Sequence, residues 1–153
     1  MIKEKLLISS CLLGFNVKYN GKNNCLDSKT LQKLKDKYEF FSFCPEVEGG
    51  LPTPRTPCEI CSTTPLKVIN KDGIDKTANF TKGAELTLEL CKKENITKAL
   101  LKANSPSCSS KYIYDGNFNG SKIKGDGVST KLLRNNNIAV ISEEDYFLND
   151  TLV

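Results

Sequence analysis

Apolar residues fall along the chain in short continuous runs separated by stretches of helical period. Leu6-Leu7-Ile8, Phe40-Phe41-Ser42-Phe43, Ala99-Leu100-Leu101 and Ile138-Ala139-Val140-Ile141 are such runs. Runs this short and this apolar between turn signals read as strands buried on both faces, the habit of a parallel sheet. Strands are therefore predicted over 4–10, 39–43, 97–102 and 138–141, with a smaller one over 66–70 ending in the Lys71-Asp72-Gly73 turn. Asp27 or Ser28 can cap a helix over 28–38 with Leu31, Leu34 and Tyr38 on one face. Thr77 or Asn79 starts a long helix to about Asn95, its inner face formed by Ala84, Leu86, Leu88, Leu90 and Cys91. Asp126 is predicted to cap a helix to about Arg134. Ser142 with Glu143, Glu144 and Asp145 starts a last short one, its acids suited to the positive helix end.

Two long segments break the alternation. One runs from Cys44 to Thr64, is stiffened by four prolines and contains Gly49-Gly50. The other runs from Ala103 to Gly125 around an Asp115-Gly116 turn. Loops this long in a compact domain are usually functional or disordered, and prolines favour a shaped wall. The order β-α-β-loop-α-β-loop-α-β-α predicts an α/β chain with right-handed crossovers. Its fold class is a three-layer Rossmann-like fold with a mainly parallel four-stranded sheet and two long active-site loops.

Composition narrows the chemistry. A chain of 153 residues reads as one domain, 1–153, able to bury a core without disulfides. Its seven cysteines are an odd number, and the start lacks a convincing signal peptide. They are accordingly packing residues, metal ligands or nucleophiles in a reducing compartment. Ile8-Ser9-Ser10-Cys11 has the look of a lipoprotein cleavage box, but the apolar run before it is too short and continues past the cysteine. No stretch approaches the roughly 20 apolar residues of a spanning helix, so a cytoplasmic protein without membrane contact is expected. The absence of histidine removes imidazole as base, as nucleophile activator and as metal ligand. A net charge of +4 on scattered lysines suits an anionic small molecule and allows nucleic acid without favouring it.

Three of the cysteines share a position. Cys11, Cys44 and Cys108 each follow an apolar run, at the strand ends where open α/β sheets bind ligands. Three thiolates converging there could hold an iron–sulfur cluster with one iron left open. Cys25 and Cys91 read as packing. Cys58-Glu59-Ile60-Cys61 alone suggests a redox pair or half a zinc site.

Five motifs then resemble a known family in the right order. They are Ser9-Ser10-Cys11-Leu12-Leu13-Gly14, Cys44-Pro45-Glu46-Val47-Glu48-Gly49-Gly50-Leu51-Pro52-Thr53-Pro54-Arg55, Ser105-Pro106-Ser107-Cys108, Ile113-Tyr114-Asp115-Gly116 and Gly125-Asp126-Gly127-Val128. The chain resembles the TudS-type thiouracil desulfidases, formerly a domain of unknown function, in their short single-domain form. The resemblance implies an oxygen-sensitive [4Fe–4S] cluster on Cys11, Cys44 and Cys108, with a fourth, open iron that takes the substrate's sulfur. It implies that Glu46 and Ser105 take part in catalysis. The implied reaction replaces the sulfur of a thiolated pyrimidine with oxygen and releases sulfide. Arg55-Thr56-Pro57-Cys58-Glu59 departs from the usual pattern by carrying Cys58, with Cys61 just beyond, so extra thiols could compete for metal.

The chemistry agrees with those residue types. A cluster held by four cysteines is coordinatively full, whereas three leave one iron as a Lewis acid for soft thiocarbonyl sulfur. Without histidine a carboxylate is the natural base for water, and Glu46 is two residues from a ligand. Arg55 suits either a phosphate clamp or a brace for the proline-rich loop. Gly125-Asp126-Gly127 reads as a structural cap, and the aromatics at 112–118 read as core. Two other functions are compatible with the residues: a thiol–disulfide or persulfide-handling enzyme using Cys58 and Cys61, and a non-catalytic cluster-bearing binding module.

Overall fold

The structure, a computed structural model, describes residues 2–149. Its centre is a four-stranded parallel sheet of β1 (Glu4–Ser9), β2 (Tyr38–Phe43), β5 (Lys98–Leu101) and β8 (Ala139–Ser142), in the order β2-β1-β5-β8. Leu6, Leu7 and Ile8 are all 0% exposed, which explains why β1 carries no polar position there: both sheet faces are covered.

Side-chain alternation sends these residues into two cores. Leu7, Ala99, Leu101 and Val140 meet Cys91 of α3 (Thr77–Glu94) and Leu133 of α4 (Val128–Asn135) on one face. Leu6, Ile8 and Leu100 meet Leu34 of α1 (Ser28–Lys37) and Tyr146 of α5 (Glu143–Asn149) on the other. The predicted three-layer α/β class is the observed one. Asp27 caps α1, its carboxylate accepting from the Thr30 N–H at 2.8 Å.

The inner face of α3 differs from its prediction. Phe80, Gly83, Ala84, Thr87 and Cys91 are buried, a run with true 3.6-residue spacing, while Leu86, Leu88 and Leu90 are half-buried on its flanks. Thr87 fits the core because its hydroxyl donates to the Gly83 carbonyl at 2.6 Å.

The two long segments contain more regular structure than the sequence suggests. The first forms α2 (Pro45–Glu48), with proline at its first position, and β3 (Cys58–Thr63). β3 pairs antiparallel with β4 (Leu66–Asn70) through a bulge between Ile60 and Ser62. The second contains the antiparallel hairpin of β6 (Tyr112–Tyr114) and β7 (Lys122–Lys124). Leu51, Ile60, Val68, Phe80 and Ile113 join in a third small core beneath them.

α4 is entered through Gly127, with no side-chain cap, so Asp126 is not the cap the sequence suggests. The Asp126 carboxylate instead accepts from Arg134 Nη1 at 2.7 Å. No helix among the described residues is long and apolar enough to cross a membrane.

Candidate functional site

The sheet order fixes where a ligand can bind. From β1 the chain crosses to β2 on one side, and the later strands add on the other. Such a reversal opens a crevice beyond the carboxyl ends of β1 and β5. A cavity of about 410 Å³ lies there, within the roughly 300–1,000 Å³ of small-molecule sites. Cys11, Cys44, Cys108, Glu46 and Ser105 all line it.

Each of the three cysteines arrives from a different strand. Cys11 sits in a single 3-10 turn, Ser10–Leu13, directly after β1. Its sulfur accepts from Asn24 Nδ2 at 3.9 Å. Cys44 follows β2 and stands at the entry to α2, where the backbone N–H groups of Val47 and Glu46 face its sulfur. Cys108 lies in the loop after β5, with its own N–H donating to Ser105 Oγ at 2.7 Å. Its sulfur accepts from Ser9 Oγ at 3.8 Å. Cys11, Cys44 and Cys108 line one cavity, which places the three within one neighbourhood.

Burial dominates their acid–base behaviour. It pushes Cys11 up to about 11 and Cys108 up to about 12, and raises Cys44. As free groups these are neutral thiols, and a metal would have to displace their protons. Among the described residues, no three Cys, Asp or Glu side chains are arranged to hold a single metal ion. The three thiols line a volume instead of meeting at a point.

Glu46 is the carboxylate of this wall, with its side chain 13% exposed. Oε1 accepts from Arg55 Nε at 3.1 Å and Oε2 from Ser107 Oγ at 2.8 Å. Ser105 and Ser107 oxygens are 3.2 Å apart. Because the Ser107 proton is given to Glu46, the Ser105 hydroxyl is the donor between the two serines. A directed chain thus runs from Ser105 through Ser107 to Glu46. Ser107 was not singled out by its sequence; its place beside Cys108, two residues from Ser105, was the only available signal.

Arg55 is a brace. Besides Glu46 it donates to the Pro52 carbonyl, Thr53 Oγ1 and the Val17 carbonyl, so four of its five N–H bonds are committed within the protein. Gly127 shapes the same corner. A Cβ there would lie 2.4 Å from the Ser107 carbonyl carbon, so only glycine lets the Cys108 loop rest on the start of α4. Gly127→Ala should cost about 1–3 kcal/mol, read as a lower urea midpoint with an unchanged slope.

The other thiols divide differently. Cys25 is exposed and Cys91 is buried in the α3 core, where burial pushes it up to about 11. Cys58 and Cys61 lie on β3 and are both free. Cys58 lines the cavity, whereas Cys61 is exposed and faces the Gly116 carbonyl at 3.6 Å. Burial, then the Glu46 charge, pushes Cys58 up to about 11, and burial also raises Cys61. Redox-active thiols need depressed values, so neither is poised as an attacking thiolate. Of the aromatics at 112–118, which the sequence suggests are core, Tyr112 is 41% exposed. Tyr114 lines the cavity.

The chain is similar to known proteins over nearly its whole length. Residues 6–145 match the model of a family described as 2-thiouracil desulfurase. The chain is similar to the uncharacterized protein YbbK of Bacillus subtilis (strain 168), 41% identical and covering 96% of this chain and 99% of that one. It is also similar to a solved structure described as the [4Fe-4S]-dependent thiouracil desulfidase TudS. That match has a TM-score of 0.87 and 45% identity, covering 96% of this chain and 95% of that one.

Proposed function

Since the chain belongs to the 2-thiouracil desulfurase family, we propose that it is a [4Fe–4S]-dependent desulfidase. Its substrate is a thiolated uracil, as base, nucleoside or nucleotide. Its reaction replaces the thiocarbonyl sulfur on a ring carbon with oxygen from water and releases sulfide. The observation that carries this reading is the meeting of Cys11, Cys44 and Cys108, from three strand ends, on one cavity that also holds Glu46.

The residues fit such a group. Three soft thiols, with hydrogen-bond donors at their sulfurs, surround a volume larger than a single ion requires. A cluster on three cysteines would supply one open iron as Lewis acid to thiocarbonyl sulfur. The chain's own residues do the rest. Glu46 is held by Arg55 and Ser107 on the cavity wall, where it can take the proton of an attacking water. Ser105 fixes the Cys108 loop and starts the hydroxyl chain that ends on Glu46. Tyr114 and Tyr19 on the wall offer flat surfaces to a planar ring. Water adds oxygen and sulfide leaves, so no net oxidation or reduction is needed.

Protein purified and reconstituted without oxygen, then given 2-thiouracil or 4-thiouracil, tests this reading through iron content and released sulfide. Turnover should persist in Cys58→Ser, since Cys58 is a half-buried thiol held protonated beside the site. Loss of turnover in that variant, with activity independent of iron, would favour thiol–disulfide or persulfide chemistry instead.

A further inference from the structure

Lys102 is the first residue after β5 and lines the same cavity. Its ammonium is fixed from two sides. It meets Glu143 Oε2 at 2.9 Å and donates to the Ala103 carbonyl at 3.0 Å. Glu143 is itself tied down, because Oε1 accepts from the Ala103 N–H at 2.7 Å. Glu143 is 8% exposed. An ammonium has three N–H donors, so one remains uncommitted.

The backbone of Lys102 is joined to the site as well. Its N–H donates to Ser9 Oγ at 2.9 Å, and that hydroxyl donates to the Cys108 sulfur. Of the other cations on the wall, Arg55 is paired with Glu46 on the side of the Cys44 loop, and Lys18 is half-exposed on the outer turn.

Resting on the cluster reading above, we propose that Lys102, held by Glu143, is a fixed cation of the cavity at the end of β5 and balances part of the negative charge of the thiolate-bound cluster. Three thiols that become thiolates bring net negative charge into a buried space, and buried charge is costly unless it is compensated. Net charge and hydrogen bonds to the ligand sulfurs are among the terms that set a cluster's reduction potential. Lys102 supplies the first through its ammonium and supports the second through Ser9. A plain strut between β5 and α5 would need the same ion pair but would leave the cluster's potential alone.

The test is the midpoint potential of the reconstituted cluster, followed by electron paramagnetic resonance during anaerobic redox titration. Lys102→Met removes a positive charge and should shift the potential to more negative values. Glu143→Gln removes a negative charge and should shift it the other way. Lys102→Arg should return it towards wild type, and Lys98→Met, whose ammonium pairs with Glu4 at the far end of β5, should leave it in place. Unchanged potentials in both cavity variants, or shifts of the same sign, would overturn the proposal. If Lys102→Met takes up no iron, Lys102→Arg decides: iron uptake by the arginine variant supports a charge requirement, and failure of both overturns it. A wild-type protein that takes up no iron would overturn the cluster reading and this proposal with it.

Discussion

Cys108→Ala is expected to fold and to retain no cluster: iron and acid-labile sulfide should fall from near full occupancy to near background. Cys108 is 4% exposed and packs in the core behind the sheet. Removing its sulfur leaves a small cavity, at a cost of about 1 kcal/mol, against a total stability of about 5–15 kcal/mol. Ligation suffers far more, since two remaining thiols cannot hold a group that needs three. Cys11→Ala and Cys44→Ala should behave alike. Cys91→Ala separates packing from ligation. Cys91 is equally buried, 1% exposed on α3, yet lies outside the cavity, so its variant should lose stability and keep its iron. Iron analysis of anaerobically purified variants, with circular dichroism for folding, checks the set. Normal iron in Cys108→Ala would remove it from the ligand set.

Glu46→Gln should keep the cluster and lose turnover by about 10²–10⁴-fold, the usual contribution of a positioned base. Glutamine has the shape of glutamate: its amide oxygen can still accept from Arg55, and its NH2 can donate to the Ser107 oxygen in place of accepting from it, so the wall should survive. It cannot take a proton from water. Ser105→Ala should also lose most turnover. Because Ser105 Oγ holds the Cys108 N–H, its iron content must be read beside its rate. Sulfide release at saturating thiouracil, normalised to bound iron, makes the distinction. Normal turnover per iron in Glu46→Gln would place the base elsewhere.

Much of the fold was legible because β1 and its neighbours are buried on both sides. Leu6, Leu7 and Ile8 leave a polar-free run, and one cysteine stands beyond each of three such strands. α1 was legible from Asp27, whose cap is local. β3 was hidden because Cys58-Glu59-Ile60-Cys61 does not alternate cleanly. Its Glu59 is buried by accepting the Gly116 and Phe118 N–H groups of the distant hairpin turn. Local sequence carries no trace of such a pairing. α4 misled for a similar reason. Asp126 has the chemistry of a cap, but Arg134 claims it, and the entry belongs to Gly127 because the Cys108 loop lies against it.

The site followed the same division. Cys11, Cys44, Cys108, Glu46 and Ser105 were nameable because motif and strand end coincide, and the structure places all five on one cavity. Ser107 and Lys102 were not. Ser107 matters through Glu46, sixty-one residues away. Lys102 matters through Glu143, which reaches the end of β5 only once β8 has added beside it.

The most direct test is anomalous scattering at the iron edge from crystals grown without oxygen. The expected map shows one compact iron–sulfur density in the cavity beyond β1 and β5, bonded to the sulfurs of Cys11, Cys44 and Cys108 and open on the side facing Glu46. Iron bound at Cys58 and Cys61, or a fully loaded protein with that cavity empty of iron, would contradict it.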